Sequence, residues 1–89
     1  MPKKGKMEEK KYISPAQCRA ARALLGWTRD QLAQASEVGP RTLMDFERRT
    51  RDPHRRTISD IRRAFEEAGV IFIDENGEGQ GVRLKKKTY

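Results

Sequence analysis

Residues 28–49 read Thr28-Arg29-Asp30-Gln31-Leu32-Ala33-Gln34-Ala35-Ser36-Glu37-Val38-Gly39-Pro40-Arg41-Thr42-Leu43-Met44-Asp45-Phe46-Glu47-Arg48-Arg49, and two helix starts are written into them. Thr28 followed three residues on by Gln31 is a capping box, in which the hydroxyl and the amide each satisfy an otherwise orphaned N–H. Trp27 and Leu32 have the spacing of the hydrophobic staple that accompanies it. The second start is Gly39 followed by Pro40, whose missing N–H is harmless in the first helical position and whose φ is already helical. Val38 and Leu43 form the staple there. The pattern predicts a short helix over 29–36, a turn at Glu37-Val38-Gly39, and a second helix over 40–49.

The second helix has two unlike faces. Leu43, Phe46 and Glu47 fall on one side, while Arg41, Met44, Asp45 and Arg48 fall on the other at the spacing of successive turns. A short helix that buries one face on a preceding helix and presents a long polar one suits the major groove of DNA. Arg41, in the first turn, has the planar fork that spans guanine O6 and N7. Asp45 either accepts from cytosine N4 or orients Arg41 or Arg48, and Met44 either meets a thymine methyl or completes the packing. Thr28 and Arg29 open a helix whose N-terminal N–H groups favour an anion. With Arg48, Arg49, Arg51, Arg55 and Arg56 they form a set of candidate phosphate contacts, which position a protein without reading sequence. Arg62, Arg63 and the terminal lysines read as solubilising charge.

Working outward, Ser14-Pro15-Ala16-Gln17 is another capping box with proline in the first helical position, and Ile13 is placed to staple Cys18. The helix it opens runs over 15–25 with Cys18, Ala21, Leu24 and Leu25 as its apolar stripe, and Gly26 suits the left-handed residue that closes it. Downstream, Ile58, Ile61, Phe65 and Ala68 set a further helix, capped by either Asp52 or Thr57 and ended by Gly69. The period then changes. Val70-Ile71-Phe72-Ile73 and Val82-Arg83-Leu84-Lys85, separated by a glycine-rich loop, predict a β-hairpin. Val70 and Phe72 point one way, Ile71 and Ile73 the other. A strand apolar on both faces needs a second cover. One face is expected on the helices and the other face, or the strand edge, on a second subunit, with Ile71, Ile73, Val82 and Leu84 as dimerisation candidates. The alternative is a hairpin folded over the monomer's own core. The fold class is mainly α: a compact four- to five-helix cluster with a C-terminal β-hairpin. Its expected divisions are a disordered basic arm over 1–12, a helical domain over 13–69, the hairpin over 70–85 and a basic tail over 86–89.

With 89 residues the chain suits one small domain. Its net charge of +7 and sequence pI near 10.0 favour a polyanionic partner, nucleic acid before membrane. No apolar run approaches a bilayer span, and the start of the chain lacks the apolar stretch of a secretory signal. Cys18 is the only cysteine, which excludes an intrachain disulfide and fits a reducing, cytoplasmic setting. One cysteine and one histidine, His54 in an arginine-rich stretch, give no metal-ligand spacing. Gly77-Glu78-Gly79-Gln80-Gly81 lacks the lysine and strand-to-helix context of a phosphate loop. Neither catalysis nor a cofactor is expected.

Arg22-Ala23-Leu24-Leu25-Gly26-Trp27-Thr28, Gln31-Leu32-Ala33, Val38-Gly39-Pro40-Arg41-Thr42-Leu43, Phe46-Glu47, Ile58 and Ile61 together resemble the lambda-repressor/Cro-type (xenobiotic-response-element-type) helix-turn-helix family of bacterial and phage transcriptional regulators. The resemblance covers about residues 14–68. It implies a nucleoid-associated DNA-binding domain, commonly a homodimer, that represses or autoregulates transcription from double-stranded DNA. It maps base-reading positions onto Pro40, Arg41, Met44 and Asp45, and pairs Arg22 with Glu47 as a structural ion pair. Two features depart from the family. Glu37 stands where the turn usually has glycine, which implies a left-handed non-glycine residue at a cost of about 1 kcal/mol. Gly39 replaces the usual Ser or Thr cap, and Pro40, which cannot hydrogen-bond a base edge, stands where a polar reader often sits. Readout is therefore expected to rest mostly on Arg41. The rival readings are an antitoxin or adaptor that chiefly binds a protein such as a toxin, and a weakly specific architectural or RNA-associated protein.

Overall fold

The computed structural model describes residues 12–86, so the arm expected over 1–12 and the tail over 86–89 lie outside it apart from Tyr12 and Lys86. Helix α1 (Pro15–Leu25) starts at Ser14, whose Oγ accepts from the Gln17 N–H at 3.0 Å while Gln17 Oε1 accepts from the Ser14 N–H at 3.0 Å. Gly26 closes it at φ 70. Helix α2 (Arg29–Ser36) repeats the device, with Thr28 and Gln31 joined at 2.8 and 3.1 Å. The departure at Glu37 has the anticipated consequence: it stands at φ 62, in the left-handed region. Ser36 supports that turn, since its buried hydroxyl donates to the Leu32 carbonyl at 2.7 Å and accepts from the Val38 N–H at 3.3 Å.

Helix α3 (Pro40–Glu47) begins at Gly39 without a side-chain cap and ends two residues short of the expected 49. The reason is a Schellman closure. The Thr50 N–H donates to the Asp45 carbonyl at 2.9 Å and the Arg49 N–H to that of Phe46 at 3.1 Å, with Arg49 turned to φ 60. Helix α4 (Arg55–Glu67) is capped by neither Asp52 nor Thr57. His54 stands at the cap with extended backbone and no side-chain bond, Thr57 already lies inside the first turn, and Asp52 is cut off from it by Pro53.

The core is drawn from every helix: Cys18, Leu32, Leu43, Ile61 and Phe65 are fully buried. Two expected stripe positions are not part of it. Leu24 is exposed, and so is Ala68, whose place on α4 is taken by Ala64. Strand β1 (Val70–Ile73) pairs antiparallel with β2 (Gly81–Leu84), which begins one residue before the expected Val82. The pairs are Val70 with Leu84, Ile71 with Arg83, Phe72 with Val82 and Ile73 with Gly81. Val70 and Phe72 are buried on the helices and Val82 packs beside them, while Ile71 and Ile73 stay half-buried on the opposite face. Phe65 lies at the junction, stacked with Trp27 at 5.8 Å and edge-on to Phe72 at 5.9 Å. Gln17 pins the hairpin to α1, its Nε2 donating to the carbonyls of Gly81 at 3.0 Å and Ile73 at 3.3 Å. No described helix is long and apolar enough to cross a membrane.

Candidate nucleic-acid interface

The inner face of α3 is anchored by one carboxylate. Glu47, nearly inaccessible, receives Arg22 Nε on Oε2 and Arg22 Nη2 on Oε1, each at 2.8 Å. This two-pronged geometry is the strongest ion-pair form a guanidinium makes. Arg29 Nε adds a third bond to Oε1 at 3.0 Å, and the Cys18 thiol donates to Oε2 at 3.1 Å. Burial alone would raise the Glu47 carboxyl, but the bonds from Arg22, Cys18 and Arg29 outweigh it and hold the group below the usual carboxylate range. The same burial, with the bond to Glu47, pushes the Cys18 thiol far up and keeps it protonated. Arg22 is held more firmly protonated by its bonds to Glu47, against the effect of its own burial.

Two arginines extend the grip to the backbone. Arg22 Nη1 donates to the Trp27 carbonyl at 3.1 Å, just before α2, and Arg19 Nη1 donates to the Glu47 carbonyl at 2.6 Å, at the end of α3. Three helices are thereby locked at one angle, with α3 held by its side chain and its C-terminal carbonyl. The part of Arg19 escapes sequence reading, because an exposed arginine on α1 has no motif to mark it.

The outer face of α3 carries Pro40 and Arg41, both exposed, and Met44 and Asp45, both half-buried. The structure thus brings all four expected base-reading positions to one side. The Arg41 side chain is 81% exposed, with Nε 3.4 Å from Asp45 Oδ1 one turn later. Asp45 also accepts from the Thr50 hydroxyl at 3.2 Å, so the carboxylate is tied to the Schellman turn and aimed back at Arg41. Thr50 is another residue that sequence reasoning passed over. With glycine at the cap, the first-turn N–H groups of α3 have no side-chain acceptor.

The expected phosphate contacts divide. Arg48, Arg49, Arg51 and Arg56 are exposed around the end of α3 and the start of α4. Arg55 is exposed as well, with its guanidinium 6.0 Å from the centre of the Tyr12 ring. Thr28 spends its hydroxyl on the cap, and Arg29 spends one edge of its guanidinium on Glu47 while remaining about one-third exposed. Arg62, read from the sequence as solubilising charge, is structural instead: only 12% exposed, it pairs with Glu66 at 2.9 Å, donates to the Tyr12 carbonyl at 3.2 Å and lies 5.2 Å from the Phe72 ring centre. Of the four dimerisation candidates, Val82 and Leu84 share the helix-facing side with Val70 and Phe72, whereas Ile71 and Ile73 lie on the outer face.

No curated protein matches the chain. A helix-turn-helix family model matches residues 19–68, from within α1 to the end of α4 and over more than half of the chain. That span holds the capped pair α2 and α3, the turn at Glu37 and both residues of the Arg22–Glu47 pair, and the chain belongs to the lambda-repressor/Cro-type helix-turn-helix family of DNA-binding proteins.

Proposed function

We propose that the protein is a cytoplasmic, nucleoid-associated homodimeric repressor or autoregulator of transcription that reads its operator narrowly, through Arg41 at the leading end of α3. The observation that carries this reading is the Arg41–Asp45 pair at 3.4 Å. It holds a nearly fully exposed guanidinium at the first turn of the one helix whose inner face is locked by Glu47. A fork held in this way reads the O6 and N7 of one guanine. Pro40 adds shape but no hydrogen bond, Met44 offers a thymine methyl contact, and Asp45 serves Arg41 first. Affinity comes largely from phosphates, met by Arg48, Arg49, Arg51, Arg55 and Arg56 and, on the opposite flank, by Thr28 and Arg29.

The test is selection of bound sequences from a random duplex pool, followed by affinity for the selected and a scrambled duplex at several salt concentrations. The reading requires a symmetric site with one invariant guanine per half and tighter binding to it at every salt concentration. Equal affinity for both duplexes at every salt concentration sinks it and favours the weakly specific architectural reading.

A further inference from the structure

The glycine-rich loop between β1 and β2 holds none of the candidate DNA contacts, yet it carries a reactive pair. Asn76 and Gly77 stand side by side in it, both exposed. An asparagine before a glycine can close into a cyclic imide: the glycine nitrogen attacks the side-chain carbonyl carbon and ammonia leaves. Glycine is the residue that leaves this nitrogen unshielded. A Cβ built at Gly77 would meet nothing within 4 Å, so the approach is open to water as well.

The groups around the pair have the positions this reaction needs. The attacking group, the Gly77 N–H, donates to Glu75 Oε2 at 3.0 Å, within the reach of a general base. The same oxygen accepts from the Gly79 N–H at 3.1 Å, which holds the carboxylate across the loop. The attacked group, the Asn76 carboxamide, accepts on Oδ1 from the Glu78 N–H at 3.2 Å. A bond of this kind turns an asparagine side chain forward over the peptide that follows it, here the one containing the attacking nitrogen. It also sets a backbone donor on the oxygen where negative charge develops. Gly77 at φ 101 and Gly79 at φ 98 give the loop this shape, in a region of backbone space that glycine enters freely.

We propose that Asn76 is a site of self-catalysed deamidation, with Glu75 as the base and the Glu78 N–H as the oxyanion donor. Glu75 takes the Gly77 amide proton as the bond from Gly77 N to Asn76 Cγ forms. The adduct collapses by breaking the Cγ–Nδ2 bond, and the proton passes from Glu75 to the departing nitrogen, which leaves as ammonia. Water then adds to either carbonyl of the imide, and ring opening gives aspartate or β-linked isoaspartate at position 76. Water is the co-reactant throughout, and nothing is oxidised or reduced. The product adds a negative charge beside Asp74, Glu75 and Glu78, on a chain whose net charge is +7. Gln17 still pins the strands through the carbonyls of Ile73 and Gly81, which confines the change to the loop. The proposal is independent of the operator reading.

The experiment incubates the full chain at neutral pH and follows the peptide containing Asn76 by mass spectrometry, with isoaspartyl methyltransferase as the probe for the β-linked product. Conversion in the folded chain should be at least tenfold faster than in the same chain unfolded in guanidinium chloride, where only the dipeptide remains. Glu75→Gln keeps an acceptor oxygen for both N–H groups but cannot take a proton, and should slow the reaction at least tenfold. Glu78→Gln removes a neighbouring charge while leaving the backbone donor, and should leave the rate within about twofold. Asn76→Gln should remove the product from this peptide. A folded rate no faster than the unfolded one overturns the proposal, whatever the variants do. So does equal slowing by Glu75→Gln and Glu78→Gln, which would assign the effect to loop charge and not to a base.

Discussion

Arg22 on α1 and Glu47 on α3 are joined by two parallel hydrogen bonds of 2.8 Å, and Arg29 closes on the same carboxylate at 3.0 Å. Helix α3 is thus oriented from its buried side by one acid and two bases. Removing one partner of such a group leaves uncompensated buried charge, a more serious loss than the net contribution of the pair.

Glu47→Gln should therefore destabilise the fold by about 3 kcal/mol. The pH dependence has a definite sign. The Glu47 carboxyl is held below its ordinary value of 4.5, so its contribution is complete above that pH and is lost as pH falls through the folded value. Thermal melts between pH 7 and pH 3 should show the native chain losing stability below about pH 4.5 and Glu47→Gln losing less. Parallel curves for the two proteins would contradict the assignment.

Arg41→Ala should cost about 1–3 kcal/mol on the selected duplex and little on random duplex, because a lost base contact removes discrimination more than general affinity. Asp45→Asn keeps the shape but removes the charge that orients Arg41. A smaller loss in the same direction is expected, measured by fluorescence anisotropy on both duplexes.

Arg51→Ala should behave in the opposite way. A phosphate contact weakens all sequences alike, so the slope of log affinity against log salt should fall by roughly 0.9 with specificity unchanged. An unaltered slope would remove Arg51 from the interface.

The strained residues on either side of α3 predict a split between stability and binding. Arg49 holds φ 60 in the Schellman turn, where a non-glycine residue costs about 1 kcal/mol. Arg49→Gly should raise the melting temperature by a few degrees while reducing DNA affinity and salt slope. Glu37→Gly, at φ 62 but with no basic group to lose, should stabilise without weakening DNA binding.

The helix starts at Ser14 and Thr28 were legible in the sequence because each is a capping box of residues three apart, whose bonds form as the spacing requires, and the start at Gly39 was legible because Pro40 follows it directly. The same local logic misplaced the start of α4, where no side chain caps and the helix begins where Ile61 and Phe65 must face the core. It also overran the end of α3, since nothing in Glu47-Arg48-Arg49 announces a left-handed arginine. The outward position of Arg41 and the Arg22–Glu47 pair were readable from spacing and resemblance. Arg19, Thr50 and the structural part played by Arg62 were not, because each acts on a group that local spacing does not bring next to it or mark as its partner.

By itself the sequence determined the order and type of the elements and the two-faced character of α3, all consequences of interactions within a turn or two of chain. Only the tertiary structure decided which of the many arginines are spent inside the molecule. A guanidinium donates wherever a carboxylate or carbonyl comes within about 3 Å, and that proximity arises when helices distant in the chain pack together. Arg22, Arg29, Arg19 and Arg62 are drawn inward in this way, and Arg41 is left facing outward with Asp45 at its side.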